Sequence, residues 1–298
     1  MDRRSFIAAA AALLKAPTLR AQPAILRRPI PRSGELLPAV GMGTWLTFDV
    51  GAAPAERAQR RRVLEEFFAA GGGVIDSSPM YGRAEKVVGD LLKQVPHAGK
   101  LFAATKIWTA FDRVGRAQMD ESLKLWGLAR FDLQQIHNLL NWRGHIRSLR
   151  EWKEQGRVRY IGITTSHGRA HDELEDILKR EPFDFVQFTY SLADRSVEQR
   201  LLPLAAERGI AVIANRPFDG GALLDRLQGK TLPPWAREID CDNWAQFCLK
   251  WIVAHPAVTC AIPATTNPAH MAENMGALRG RLPDAGMRRR MLEHVERA

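Results

Sequence analysis

Cysteine is scarce in this 298-residue chain: Cys241, Cys248 and Cys260 are the whole complement. No two are closely spaced, which excludes both a paired-ligand zinc site and the framework of a disulfide-stapled domain. Long apolar runs are missing as well. No segment approaches the roughly 20 uncharged residues that a helix needs to cross a bilayer. Acidic residues are in deficit, 33 against 43 Lys and Arg, for a formal charge of +10. The basic residues are nevertheless scattered through amphipathic segments, without finger spacing, a helix-turn-helix pattern or a basic tail. Nucleic-acid binding is therefore not expected, and the charge reads as solvated surface. Absent too is a Gly-rich loop joining a first strand to a helix. Gly71, Gly72 and Gly73 precede a strand instead, which excludes the dinucleotide fingerprint of an open doubly wound sheet.

What is present is regular alternation. Residues 25–43 read as two short strands around a turn at Ser33 and Gly34, a hairpin expected to plug one end of a barrel and to feed a strand segment at 39–44. Beyond it, strands are predicted over 74–76, 101–106, 132–137, 160–164, 184–189, 211–215 and 259–263. Helices are predicted over 55–70, 84–92, 113–125, 146–155, 171–180, 198–208, 243–254 and 269–278, with an extended loop through Pro233 and Pro234. The strands are apolar without alternation, as in a parallel sheet covered by helices. Eight of them favour closure. The expected fold is α/β, a (β/α)8 TIM barrel with an amino-terminal β-hairpin, in one domain over 22–298.

Arg3-Arg4-Ser5-Phe6 precedes the weakly apolar stretch 7–14, with Lys15 and Pro17 beyond it. This pattern resembles a twin-arginine export signal over residues 1–21, with cleavage expected after Ala21. It implies passage through the twin-arginine export machinery to the periplasm, or a cytoplasmic protein if the signal does not function. With no membrane span, the mature barrel is expected to be a soluble monomer.

In a barrel, chemistry belongs at the carboxyl ends of the strands. Asp76 ends one predicted strand, Tyr81 follows it in a loop, Lys106 ends the next and His137 the one after. Any one of them alone reads as a cap, a solvated amine or a packed ring, but four in one mouth point to a site. A phenol is a reluctant proton donor. An adjacent ammonium lowers its pKa, and Lys106, held by Asp76, is the expected ammonium.

These residues and their surroundings resemble the aldo-keto reductase family. The resemblance runs through Gly41-Met42-Gly43-Thr44-Trp45, Ile75-Asp76-Ser77-Ser78-Pro79-Met80-Tyr81-Gly82, Thr105-Lys106, Gln135-Ile136-His137 and 156–163, then Gln187, Ile262-Pro263 and Glu273-Asn274. It implies an oxidoreductase that reduces aldehydes, ketones or related carbonyls with NADPH or NADH, Tyr81 being the general acid. The catalytic set it implies is Asp76, Tyr81, Lys106 and His137, in which Tyr81 and His137, set against a carbonyl oxygen, would stabilise the negative charge that hydride addition puts there, and no metal is needed. Thr44, Trp45, Asp76, Thr164, Thr165, Gln187, Asn215, Arg216, Pro217, Phe218, Gly220, Thr265, His270, Glu273 and Asn274 are the expected cofactor contacts, with Gln187 on the nicotinamide carboxamide and Arg216 and Gly220 near the pyrophosphate.

This chain departs from the family in places. Thr164 and Thr165 replace a common Ser and Asn, and Asn215 stands where an aromatic residue stacks on nicotinamide. Ala264 and His270 replace the basic residues that commonly support NADPH, so NADH is expected to be accepted comparably. These departures sustain an alternative expectation, a barrel that binds ligand or cofactor without efficient turnover. Trp45, Phe48, Trp108 and Trp142, with Tyr81 and His137, are expected to line an apolar substrate mouth. Trp142 has a competing place against Arg143 or the next helix. No tail is expected to cover that mouth.

Overall fold

The computed structural model describes residues 24–97 and 99–297, so the expected leader lies outside the described residues. The chain enters through β1 (Arg27–Pro29) and β2 (Leu36–Pro38), an antiparallel pair in which Arg27 faces Pro38. Gly34 takes a positive φ of 73° to turn the chain between them. Ile30 and Leu37 from this hairpin join a buried cluster with Val74, Phe102, Leu133 and Phe185. The hairpin thus seals the end of the barrel where the strands begin.

Eight parallel strands follow in sequence order: β3 (Met42–Gly43), β4 (Val74–Asp76), β5 (Phe102–Ile107), β6 (Phe131–Ile136), β7 (Val158–Thr164), β8 (Phe185–Thr189), β9 (Ala211–Asn215) and β10 (Val258–Ala261). A parallel bridge from Val40 to Ala261 brings the two edges together, and the Gly41 and Gly43 amides donate to Ala261 and Pro263 carbonyls at 2.8 and 2.9 Å. Closure depends on Gly41. A Cβ there would stand 2.8 Å from the Val74 carbonyl oxygen, closer than real contacts allow.

The outer ring comprises α1 (Pro54–Ala69), α2 (Ala84–Leu92), α3 (Asp112–Trp126), α4 (Trp142–Glu154), α5 (His171–Arg180), α6 (Leu201–Glu207), α7 (Ala222–Leu227), α8 (Trp244–Val253) and α9 (Pro268–Gly276). Because helices cover the outside and side chains fill the inside, β4, β5 and β8 are buried along their whole length, which explains why apolar residues do not strictly alternate with polar ones in them. Among the described residues, no helix is long and apolar enough to cross a membrane.

Two expectations are corrected. The stretch expected as an extended loop through Pro233 contains α7 and a 3-10 helix, Pro234–Ile239. The helix at 269–278 is not the last either: α10 (Ala285–Arg297) follows it. Only Met291 and Val295 of α10 are buried, too thin a stripe to announce a helix by periodicity. Polar anchors hold it instead. Arg288 donates to the Tyr190 hydroxyl at 2.6 Å and the Trp251 carbonyl at 3.0 Å, while the Trp251 indole returns a bond to the Arg288 carbonyl at 3.0 Å.

Candidate active site

Parallel register sets Asp76, at the end of β4, beside the carboxyl half of β5, which carries Lys106. The lysine is 1% exposed. Its ammonium donates to Asp76 Oδ2 at 2.5 Å and to the Ser77 carbonyl at 2.8 Å. The other carboxylate oxygen, Oδ1, accepts from Gln135 at 2.9 Å and Gln187 at 3.1 Å, so side chains from β5, β6 and β8 converge on Asp76. A buried ion pair persists only when its remaining lone pairs and protons find partners, and these amides supply them. Gln135 was legible as part of a motif, but its role was not. Only the inward pleat of β6 brings it to the carboxylate.

Tyr81 lies in the turn after β4, where its amide donates to the Ser78 carbonyl at 2.9 Å. Gly82 then takes a φ of 60°, and Arg83 is gripped by Asp49 through both its amide and its guanidinium. This fixes the Tyr81 ring above the site. The Lys106 ammonium lies 5.1 Å from the ring centre, and the His137 imidazole meets the ring edge-on at 5.8 Å.

The electrostatics follow from burial. Removal from water opposes charge on Lys106, but Asp76 and the Tyr81 phenol outweigh it and hold the ammonium above the usual lysine range. For Tyr81, burial is the largest influence and raises the phenol above its ordinary range, with Lys106 pulling it down and Asp76 pushing it further up. The lowering expected from Lys106 is therefore present but outweighed, and the phenol carries its proton at neutral pH. His137 is depressed to about 3, first by burial and then by the Lys106 charge, so its imidazole is neutral.

That depression has a sign. The folded protein resists protonating His137 while the unfolded chain accepts a proton near 6.5, so this group's contribution is full above about pH 6.5 and is lost as pH falls toward 3. The loss runs at no more than about 1.4 kcal/mol per pH unit. His137→Gln is expected to flatten the fall of the denaturation midpoint between about pH 6.5 and pH 4, measured by urea titration. Parallel declines in both proteins would exclude His137 as the source.

A cavity of about 770 Å³ opens at the carboxyl ends of the strands. Tyr81, His137 and Asp76 line one part of it, with Thr44 and Trp45 from the loop after β3. Lys106 lies beneath this wall. Thr164, Thr165, Gln187 and Asn215 continue the lining, followed by Arg216, Pro217, Phe218 and Gly220. Thr265, His270, Glu273 and Asn274 line it from the segment after β10 and from α9. The structure thus brings Asp76, Tyr81, His137 and the proposed cofactor residues to one cavity, with Lys106 buried behind Asp76.

It does not bring all the expected substrate residues there. Phe48 is fully buried in the core, and Trp142, 9% exposed, packs under the Arg143 guanidinium at 4.5 Å with its indole donating to Glu173 at 3.3 Å. Neither lines the cavity. Phe48 follows a tight turn in which the Thr47 and Phe48 amides both donate to the Thr44 carbonyl, at 3.2 and 3.1 Å, and its ring lies in the core. Trp108 is exposed at the end of β5 but is also outside the lining. In their place Leu46 and Met80, both exposed, contribute apolar surface beside Trp45. His167, Arg169 and Trp244 also line the cavity, and the sequence carried no signal for them because they sit in irregular loops or at a helix start.

A sequence model described as the Aldo/keto reductase family matches residues 39–290. The chain belongs to this family. It is 26% identical to the NADH-specific methylglyoxal reductase of Escherichia coli (strain K12), over 88% of this chain and 96% of that protein. Among solved structures, it superimposes on the holo form of an aldo-keto reductase from Bacillus halodurans with a TM-score of 0.74 at 21% identity, covering 91% of this chain and 96% of that one. A Klebsiella pneumoniae aldo/keto reductase in complex with NADP and acetate gives a TM-score of 0.71 at 24% identity, covering 89% and 92%. The barrel expected from the sequence is thus the architecture of its reductase relatives, and the chain is an oxidoreductase of this family.

The residues present fit a dinucleotide. Thr165 Oγ1 is buried without a partner beside Gln187 and Asn215, a hydroxyl left for a ligand amide to satisfy. The Gln187 amide nitrogen is committed to Asp76 and Gln135, leaving its oxygen as the acceptor with free capacity. Asn215 is held at both ends of its amide, accepting from Thr189 at 2.8 Å and donating to the Thr165 carbonyl at 2.9 Å. Arg216 is paired with Asp219 at 3.1 Å, and a Cβ on Gly220 would press within 3.0 Å of its guanidinium.

Proposed function

We propose that this protein reduces small aldehydes or ketones, with Tyr81 delivering the proton to the carbonyl oxygen. One observation carries the proposal: the Tyr81 phenol and the His137 imidazole line the same cavity and meet edge-on beside the buried Lys106–Asp76 pair. A reduced nicotinamide, when bound, supplies the hydride for the carbonyl carbon. Gln187 and Thr165 would hold its carboxamide, Arg216 and Gly220 its pyrophosphate, and Glu273 with Asn274 its adenine side. As negative charge grows on the carbonyl oxygen, His137 stabilises it and Tyr81 neutralises it, while Lys106 steadies the phenolate left behind. Asp76 keeps Lys106 in place. The methylglyoxal reductase among its relatives supports a short, electron-poor carbonyl as substrate. The test is a panel of short aldehydes, dicarbonyls, quinones and keto sugars with NADH and NADPH. Turnover of at least one carbonyl is expected, and ligand binding without any turnover would return the alternative of a binding barrel.

The same cavity bears on the cofactor. No Lys or Arg lines it from the segment after β10 or from α9, where His270 and Glu273 stand instead. Arg281 is bound to Asp240 at 2.9 Å, and Arg279 reaches the Ala70 carbonyl at 3.4 Å, so neither lines the adenosine end. A site with no lysine or arginine and with a carboxyl side chain in its lining gives little attraction to a 2′-phosphate. NADH is expected to bind comparably to NADPH. Equilibrium titration of apo-protein with both, alongside His270→Ala, checks this. A preference for NADPH above about a hundredfold, or about 2.7 kcal/mol, that survives His270→Ala would overturn it.

The leader makes export through the twin-arginine machinery part of the proposal, which places the working enzyme in the periplasm with cofactor loaded before transport. Arg3→Lys with Arg4→Lys is expected to keep the protein inside the cell. Fractionation of the native host decides, and equal periplasmic yields of wild type and variant would reject twin-arginine dependence.

A further inference from the structure

Ser78 sits between Asp76 and Tyr81 and is fully buried. Its Oγ lies 3.1 Å from Nδ1 of His137, and the Met80 amide donates to the same oxygen at 3.2 Å. These two contacts are the hydrogen bonds this hydroxyl makes among the described residues. The Met80 amide brings a hydrogen to the oxygen, so the hydroxyl's own hydrogen needs an acceptor, and Nδ1 is the one within reach. An imidazole with its proton on Nδ1 would point a donor at Ser78 and leave the buried hydroxyl hydrogen unsatisfied. The opposite tautomer satisfies both groups. At the other end of the ring, Nε2 has no hydrogen bond to protein among the described residues and is not sealed from solvent, and His137 lines the cavity.

We propose that Ser78 is a positioning residue: its hydroxyl donates to Nδ1 of His137 and thereby fixes the proton of the neutral imidazole on Nε2, the nitrogen open to the cavity. This rests on the reductase function proposed above. The ring then presents an N–H to a carbonyl oxygen. In the other tautomer it presents a lone pair, which repels the oxygen as its negative charge grows. The balance of the reduction is unaffected by Ser78. Hydride from the reduced nicotinamide bonds to the carbonyl carbon, the carbonyl π pair moves to oxygen, and that oxygen takes the proton of Tyr81 to give the alcohol and oxidised nicotinamide. His137 keeps its proton throughout. Its tautomer sets how well the oxygen is held, which affects kcat more than ground-state binding.

The experiment reads the tautomer directly. Protein labelled with 15N-histidine, free of cofactor and substrate, is examined by long-range 15N–1H correlation, with the His137 signals assigned by their loss in His137→Gln. Wild type is expected to show a protonated Nε2 and an unprotonated Nδ1. Ser78→Ala is expected to give a mixture of tautomers and a kcat lowered about tenfold or more, with KM and cofactor affinity within about twofold, and Ser78→Thr to restore both signatures. A proton on Nδ1 in wild type overturns the proposal. So does a Ser78→Ala protein with unchanged tautomer and kcat. Because the tautomer is read without turnover, a wild type that reduces no carbonyl would count against the reductase function and leave this assignment standing on its own spectrum.

Discussion

Tyr81→Phe is expected to lower kcat for carbonyl reduction by about 10²–10⁴-fold while leaving cofactor affinity and the denaturation midpoint close to wild type. The substitution removes one oxygen and keeps the ring that meets His137 edge-on at 5.8 Å, so the fold has little reason to respond. What is lost is the proton. The phenol is held above its ordinary range by burial, so it is protonated at neutral pH, and it lines the cavity together with the His137 imidazole. With phenylalanine there, the oxygen must take its proton from water or keep its charge against His137 alone. The pH profile carries the same sign: reduction by wild type is expected to hold through neutrality and to fall only under alkaline conditions, as the phenol ionises. Single-turnover rates with saturating cofactor check both statements. A Tyr81→Phe enzyme within about fivefold of wild type would remove Tyr81 from the chemistry.

Lys106→Met is expected to cost stability as well as activity. Methionine fills much of the lysine's volume, but the Asp76 carboxylate, 2% exposed, then remains buried with Gln135 and Gln187 as its side-chain donors. Removing one partner of a buried pair costs about 3–5 kcal/mol because it strands the other charge. Lys106→Met combined with Asp76→Asn removes the stranded charge and is expected to recover much of that loss. Turnover should stay low in both variants, since neither has an ammonium to steady the phenolate. Urea midpoints and kcat, measured on both proteins, separate the two roles. A single variant as stable as wild type would mean that Asp76 is not held as a buried charge, and a double variant with restored turnover would mean that Lys106 does not assist Tyr81.

The local sequence carried much of this. The predicted strand at 74–76 and helices at 84–92 and 171–180 coincide with the observed elements, because each has a dense apolar pattern of one period bounded by glycine, proline or charge. Where that pattern thins, legibility fails. The short β3 was expected over 39–44 and pairs as a strand only at Met42–Gly43, while α10 buries two side chains and hangs on Arg288. Aromatic residues were the least legible. Trp45, Phe48 and Trp142 have the same apolar character in sequence, yet Trp45 lines the cavity, Phe48 is core and Trp142 packs against Arg143. Which side of a loop a ring takes depends on one turn's dihedral angles.

By itself, then, the sequence determined the class of fold, the order of its strands and the four polar side chains at their carboxyl ends, because periodicity and strand-end position are properties of a local stretch of chain. The tertiary structure alone decided how those side chains act on one another. Closing the barrel brings Gln135 and Gln187 to the Asp76 carboxylate, buries Lys106 beneath Tyr81 and sets Ser78 against His137, contacts between residues 59 to 111 positions apart in the case of Asp76 with its two glutamines and Ser78 with His137. It also reversed one expectation: the lysine that should lower the tyrosine's pKa is outweighed by burial, and burial is a property of the whole packed barrel.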